Sequence, residues 1–196
     1  MKLLFAFPIP ILLLLLGGNV YSQDPRFNLV ITAEDFAAGT VADIKQDPQG
    51  FIWLSTQLKG IQRYDGSHFV SYMNDPRDPN SISNNRVPCI HIDSSGVIWA
   101  ATYGGGLNRF DPGKNGFTHY RHNAEDESSL ANDTVFALLR DHTGTLWVGT
   151  YGGLDVLNEK TGKFIHYKNI PADTSSLSYN RVWFLYEDHQ GTVWVG

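Results

Sequence analysis

A single cysteine, Cys89, stands among 196 residues, so no disulfide forms within the chain and packing alone must stabilise it. It lies in Val87-Pro88-Cys89-Ile90, an apolar run that reads as strand, with a packed thiol rather than a reactive one. Positive charge is also scarce: 15 Lys and Arg face 20 Asp and Glu, for a net charge of −5. A mildly acidic, well-mixed chain argues against nucleic acid or an anionic membrane surface as partner. Helical periodicity is missing. Beyond residue 22 no stretch repeats apolar residues every 3.6 positions over three turns, which excludes a helical solenoid. One long apolar run exists, 3–16, preceded by Lys2, interrupted by Pro8 and Pro10 and closed by Gly17-Gly18. With Val20-Tyr21-Ser22 after it, residues 1–22 have the layout of a secretory signal peptide. An uncleaved anchor is the alternative, although the run is shorter than the roughly 20 residues that span a bilayer. Losing Lys2 with this segment would take the net charge from −5 to −6. Export without disulfides fits a periplasm or a cell surface.

What the chain has in quantity is repetition. Asp-x-x-Gly-x-x-Trp occurs as Asp47/Gly50/Trp53, Asp93/Gly96/Trp99, Asp141/Gly144/Trp147 and Asp188/Gly191/Trp194. The tryptophans are 46, 48 and 47 residues apart. A near-constant period of this length marks one supersecondary unit stacked on its neighbours, each burying a face of the next. The shared Asp, Gly and Trp are expected to hold the stack together and to do no chemistry. The repeats begin near 41, 87, 135 and 182, and the last reaches Gly196 within its second strand. On that reading the chain is the N-terminal piece of something longer.

Each copy predicts four short strands. An apolar first strand covers 41–46, 87–92, 135–140 and 182–187. Asp-x-x-Gly is a turn in which Asp bonds the backbone ahead of it and Gly takes the fourth position. The second strand, at 51–56, 97–102, 145–150 and from 192 onward, is apolar on both faces, as expected of a strand between two sheets. A third follows at 61–65, 107–111 and 154–158, and an aromatic fourth around Phe69/Tyr72, Phe117/Tyr120 and Phe164/Tyr167. Four short strands per unit of about 40–50 residues is the sequence form of a β-propeller blade. The expected fold is all-β: a β-propeller of four-stranded blades, a partial ring over 23–196 with about three and a half blades present. Residues 27–32, with Phe27 and Val30 at fourth-strand spacing, read as the closing strand of a last blade missing from the chain.

No constellation reads as catalytic or as a metal site, and no cofactor is implied. A turn explains each repeated Asp, and copies in different blades cannot converge on one ion. The repeated tryptophans read as packing between blades. His119 with His166, and His142 with His189, recur in register and read as blade surface. Ligand candidates come from the loops that meet on one face of a propeller, the fourth-to-first and second-to-third connections. They are Asn85, Arg86, Tyr103, Asp133, Tyr151, Arg181 and Trp183. Tyr faces stack on a sugar, while amides and guanidinium forks bond its hydroxyl or acidic groups. The competing reading is turn formation for the Asn and Asp, and packing for Trp183.

The joint pattern V-x-x-I-x-x-D-x-x-G-x-[IVL]-W-x-x-T, then G-[LI]-x-[RV]-[FYL]-[DN], then F-x-x-Y resembles the two-component regulator propeller repeat. It is clearest over 44–72 and 90–120; Pro88 and a one-residue deletion between Thr150 and Gly153 depart from it. The resemblance implies the periplasmic sensor region of a hybrid two-component histidine kinase, a membrane-anchored homodimer at the inner membrane. It further implies that this region detects an oligosaccharide or similar small ligand without turning it over. Two other readings stay open: a secreted propeller enzyme similar to the streptogramin lyases, and a non-catalytic protein-interaction propeller.

Overall fold

The computed structural model describes residues 40–196; the expected signal peptide, 1–22, and closing strand, 27–32, lie outside them. The first blade comprises β1 (Val41–Gln46), β2 (Ile52–Thr56), β3 (Ile61–Tyr64) and β4 (Phe69–Tyr72). The second comprises β5 (Ile90–Ile92), β6 (Ile98–Thr102), β7 (Gly106–Asp111) and β8 (Gly116–Tyr120). The third comprises β9 (Val135–Arg140), β10 (Leu146–Thr150), β11 (Gly153–Asn158) and β12 (Lys163–Tyr167), and a fourth begins with β13 (Leu185–Glu187) and β14 (Val193–Val195). Each full blade is an antiparallel meander whose sheet order follows the sequence. No helix occurs among the described residues. β1 lies against β5, β5 against β9 and β9 against β13, so the first strands share one side and form the inner rim of an unclosed propeller.

The repeated Asp closes each first turn. In the third blade Asp141 Oδ1 accepts the N–H groups of Thr143 and Thr145, both at 2.9 Å, and the Thr143 hydroxyl at 2.6 Å. The other carboxylate oxygen, Oδ2, accepts the Trp147 indole N–H at 2.8 Å. Trp53 with Asp47 (2.7 Å) and Trp194 with Asp188 (2.8 Å) repeat that bond. The Asp-to-Trp interval of six is therefore a hydrogen bond as well as a turn. These bonds also set where the second strands begin. Phe51, Val97 and Thr145, expected in strand, instead spend their N–H groups on the Asp of the turn.

The repeated glycines occupy the fourth turn position, as expected. The N–H groups of Gly50, Gly96 and Gly144 donate to the carbonyls of Asp47, Asp93 and Asp141 at 2.9 Å, and Gly191 N donates to Asp188 O at 3.0 Å. Their φ angles are +93°, +83°, +88° and +82° in chain order, a region that glycine enters without a Cβ clash. Their part in holding the blades together differs from the expectation, however. Gly50 and Gly144 are exposed, Gly96 and Gly191 only half-buried, and none of the four belongs to the core. Backbone angle, and not packing between blades, accounts for Gly50 and Gly144. Gly96 and Gly191 do lie beside the preceding blade: a Cβ on Gly96 would sit 3.6 Å from Gln49 Oε1, and one on Gly191 would sit 2.6 Å from the His142 ring. At Gly191 the missing side chain therefore also makes room for a neighbour.

Two first strands are shorter than expected. β5 begins at Ile90 rather than Val87, and β13 at Leu185 rather than Val182. Pro88 has no N–H to give to a ladder. The Val87 N–H crosses to Thr56 O of the preceding blade at 2.8 Å, and the Val182 N–H crosses to Thr150 O at 3.0 Å. Those residues tie one blade to the next.

The core lies between blades. Trp53 and Tyr72 of the first blade pack with Ile90, Ile98, Phe110 and Phe117 of the second. Trp99 and Leu107 of the second pack with Val135, Leu146, Val148, Leu157 and Phe164 of the third, while Trp147 and Leu154 meet Val182 and Leu185. Trp194, with no blade beyond it among the described residues, is 60% exposed. Cys89 joins the Trp99 cluster, its Sγ 3.4 Å from Phe136 O. Burial, aided by the nearby Asp43 carboxylate, pushes that thiol up to about 12.

The capped carboxylates predict an acid response. Burial raises the Asp141 pKa, but the bonds from Thr143, Trp147 and Thr145 outweigh it and hold the group at about 2, against an ordinary 3.8. Asp93 is also lowered: burial opposes it, and the bonds from Ser95 and Val97 prevail. Asp188 is lowered by its bonds from Trp194 and Thr192. A carboxyl depressed by folding stabilises the fold where it is ionised, so this contribution is complete above about pH 4 and fades as pH falls towards about 2. The melting point of the intact protein should drop between about pH 4 and 2. Asp141→Asn should flatten part of the drop; an unchanged wild-type midpoint at pH 2 would refute the assignment.

Candidate ligand-binding face

In an antiparallel meander the second-to-third and fourth-to-first connections leave the sheet at the same end, and the Asp turns leave at the other. The former end carries the candidate residues. Its long loops, from β4 to β5, β8 to β9 and β12 to β13, are built alike. Asn74 Nδ2 donates to Ile82 O at 2.8 Å and Asn169 Nδ2 to Leu177 O at 2.6 Å, and the His122 ring bonds Leu130 O at 2.8 Å. The hydroxyls of Ser81, Ser129 and Ser176 accept the N–H groups of Asp75, Asn123 and Ile170 at 2.8–2.9 Å. Ile82 and Leu130 are fully buried beneath their loops.

These loops are fastened to the blade that follows. Asn108 Oδ1 accepts Ser83 N at 3.0 Å, and Asp155 Oδ2 accepts Ala131 N at 2.7 Å. His119 bonds Ser81 O at 2.8 Å; His166 bridges Asp155 Oδ1 (2.7 Å) and Glu127 O (2.9 Å). Burial raises the Asp155 pKa against the pull of the Ala131 N–H and His166. His119 and His166, expected as plain blade surface, are loop anchors. Sequence reasoning missed this framework, although Asp-x-x-Ser-[Ile/Leu] at 78–82, 126–130 and 173–177 repeats in step with the tryptophans.

The framework also redistributes the candidates. Asn85 Oδ1 accepts Asn74 N, and Asp133 Oδ1 accepts His122 N, both at 2.7 Å. Those oxygens close the loop, so the turn-forming role describes Asn85 and Asp133. Asn180, their counterpart before β13, holds Asn169 N at 2.6 Å.

The other five candidates come together. The Arg86 guanidinium lies 4.0 Å from the Tyr103 ring centre, with Nε donating to Gln57 Oε1 at 3.0 Å. Arg181 lies 4.1 Å from the Tyr151 ring centre and donates to the Tyr151 hydroxyl. Trp183 stacks on Phe136 with centroids 4.0 Å apart, and Tyr103 and Tyr151 approach the same ring at 5.9 and 6.3 Å. Phe136 is buried while Trp183 stays 55% exposed, so Trp183 both packs and presents a face. Phe136 is the floor of the row. Nothing set it apart in sequence, where it is one apolar residue in an apolar strand.

The opposite end differs. There the Glu187 carboxylate bonds both the backbone N–H and the ring of His142, clasping the third blade to the fourth and raising the His142 pKa. Among the described residues no three His, Cys, Asp or Glu side chains are placed to share a metal ion.

No curated protein matches the sequence, but solved structures do. The extracellular domain of BT3049, described as a hybrid two component system of B. thetaiotaomicron, is 32% identical with a TM-score of 0.70. That match covers 80% of this chain and 22% of that one. The extracellular domain of BT4673 from the same organism is 20% identical with a TM-score of 0.63, covering 80% and 20%. Virginiamycin B lyase from Staphylococcus aureus, 17% identical with a TM-score of 0.59, covers 85% and 51%. The last two likenesses show the fold alone. The chain spans about a fifth of the length of the two extracellular domains. The two component regulator propeller family matches residues 81–104, 129–152 and 176–196, each match opening on one of the equivalent serines of the long loops. Residues 81–104, 129–152 and 176–196 thus carry the two component regulator propeller repeat, in register with the Asp–Trp turns of their blades.

Proposed function

We propose that the chain is part of an exported sensor region that binds an oligosaccharide or similar small ligand. The ligand lies on the face of Arg86, Tyr103, Tyr151, Arg181 and Trp183, and occupancy is passed to the output of a membrane-anchored, dimeric two-component kinase. The observation that carries this reading is the row of stacked Arg and aromatic side chains on the loop face. The likeness to extracellular domains of hybrid two component systems supports the exported setting. Flat, half-exposed rings with fixed hydrogen-bond donors beside them suit a sugar, which offers one apolar face and many oxygens. The same groups are poor catalysts. None of the five is a carboxylate, an imidazole or a thiol, the usual acids, bases and nucleophiles of catalysis, so the reading is binding without turnover.

Calorimetry of the intact extracellular region against a glycan panel tests this. Binding in the micromolar to millimolar range without product is expected. Arg86→Ala or Tyr103→Ala should weaken binding by about tenfold, equivalent to about 1.4 kcal/mol, with the melting point unmoved. Product formation, or silence across the panel, would overturn the reading. Loss of affinity in proportion to loss of stability would overturn the placement on this face.

A further inference from the structure

The Arg181 end of the row is a donor-lined hollow. A cavity of about 160 Å³ is bounded by Tyr151, Asn169, Tyr179, Asn180 and Arg181, none of them acidic. Three rings surround the guanidinium: Tyr151 at 4.1 Å, and Tyr179 and Trp183 at 5.9 Å each. Its Nε is shielded from solvent, yet it has no hydrogen-bond partner. Asn180 commits its oxygen to Asn169 N, which leaves its NH₂ group to serve the cavity. Among the described residues no Asp or Glu oxygen lies within 4.0 Å of Arg181 or of Arg86. In a chain of net charge −5, the guanidinium groups of Arg86 and Arg181 are stacked on aromatic rings and not paired with carboxylates.

We infer that this cavity is an oxyanion subsite, which takes the carboxylate or sulfate group of an acidic sugar whose ring lies along Tyr151 and Trp183. The inference rests on the oligosaccharide reading above and narrows it to charged glycans. A shielded N–H without a partner is costly, which favours a small slide of the guanidinium over the Tyr151 ring to meet an acceptor that enters the cavity. A guanidinium fork meets a planar or tetrahedral oxyanion with two parallel bonds, and the bonds are strong because both partners are charged. Stacking on Tyr151 holds that fork in one orientation before the ligand comes. The cavity has room for the charged substituent and some of its water, given about 30 Å³ per water molecule. The pyranose itself rests on the open rings.

The test is calorimetry at low and moderate salt on the intact extracellular region with three probes. Digalacturonate carries carboxylates only, neocarrabiose 4-sulfate carries sulfate only, and cellobiose carries no charge. The expected result is binding of a charged probe at least tenfold tighter than cellobiose and weakened by salt; the better probe identifies the oxyanion. Arg181→Gln should remove that preference, and Arg181→Lys should restore only part of it. Asn180→Asp is the cleaner variant, because its oxygen can still hold Asn169 N, as Asp133 holds His122 N in the preceding blade. It should abolish binding of the charged probe and leave the melting point unchanged. Equal affinity for charged and uncharged sugars, untouched by these variants, would overturn the subsite and leave oligosaccharide sensing standing. Silence of these probes and of the whole glycan panel would overturn both.

Discussion

Replacing Trp99 with alanine is expected to destabilise the intact protein by about 3–5 kcal/mol, the range for removing a large aromatic from a packed core. Trp99 is fully buried. It sits where the second blade meets the third, among Leu146, Val148, Leu157 and Phe164, with the Tyr120 ring centroid 5.6 Å away. Deleting it leaves a void across a seam between two blades, and the rigid sheets on either side cannot collapse into it. Its indole N–H, unlike those of Trp53, Trp147 and Trp194, has no hydrogen-bond partner. Asp93 Oδ2, which would receive it, faces Arg140 at 3.8 Å instead, and Arg140 also pairs with Glu159 at 2.8 Å. Trp99→Phe, which discards that orphan donor and keeps a ring, should therefore cost clearly less than Trp99→Ala. Trp147→Phe loses a bond to a carboxylate, worth about 1.5–3 kcal/mol. Denaturant unfolding of the intact protein separates these effects. A Trp99→Ala loss below about 1 kcal/mol would mean that the seams do not hold the propeller together.

Much of this architecture is legible in the chain because identical constraints recur in every blade. Asp, Gly and Trp keep their spacing since each turn needs an acceptor at its start, a positive φ at its end and an indole beside it. A reader of the sequence sees the turn and the apolar ring, but the bond from Trp147 to Asp141 appears only when the strand brings the indole back over the turn. Recurrence also does not reveal which member of the motif packs: Trp99 is buried in a seam, while Gly50 stays in solvent. Strand limits are less legible, because hydrogen-bond destinations decide them. Val87 and Val182 are as apolar as Val41, yet their N–H groups leave the sheet for the neighbouring blade. The ligand face is the least legible part. Asn85 and Asp133 have side chains suited to a sugar, and only coordinates reveal that their oxygens are consumed within the loop. Arg86 and Arg181 lie on long side chains whose stacking partners, Tyr103 and Tyr151, come from a different connection. No interval along the chain marks those pairs.

Gly106→Ala is expected to be nearly as damaging as loss of Trp99, for a different reason. The repeated Gly at the start of the third strand, Gly60, Gly106 and Gly153, lies under the carbonyl of the Tyr that ends the fourth. A Cβ on Gly106 would sit 2.2 Å from Tyr120 O, and one on Gly60 would sit 2.1 Å from Tyr72 O. Backbone atoms at that distance cannot yield unless β8 moves off β7, which breaks the outer pair of the blade and the seat of Tyr120 against Trp99. The φ of +80° adds left-handed strain, about 1–2 kcal/mol for a residue with a Cβ. Overpacking of this kind costs a further 1–3 kcal/mol, roughly. Gly104 supplies the control, because its φ is +89° and a Cβ there meets nothing within 4 Å. Gly104→Ala should therefore show the backbone strain alone, and Gly106→Ala that strain plus the collision. Denaturant unfolding of the two variants in the intact protein measures the difference. If both lost the same stability, the close approach of the two strands would contribute nothing, and the recurrence of this glycine would be a matter of backbone angle alone.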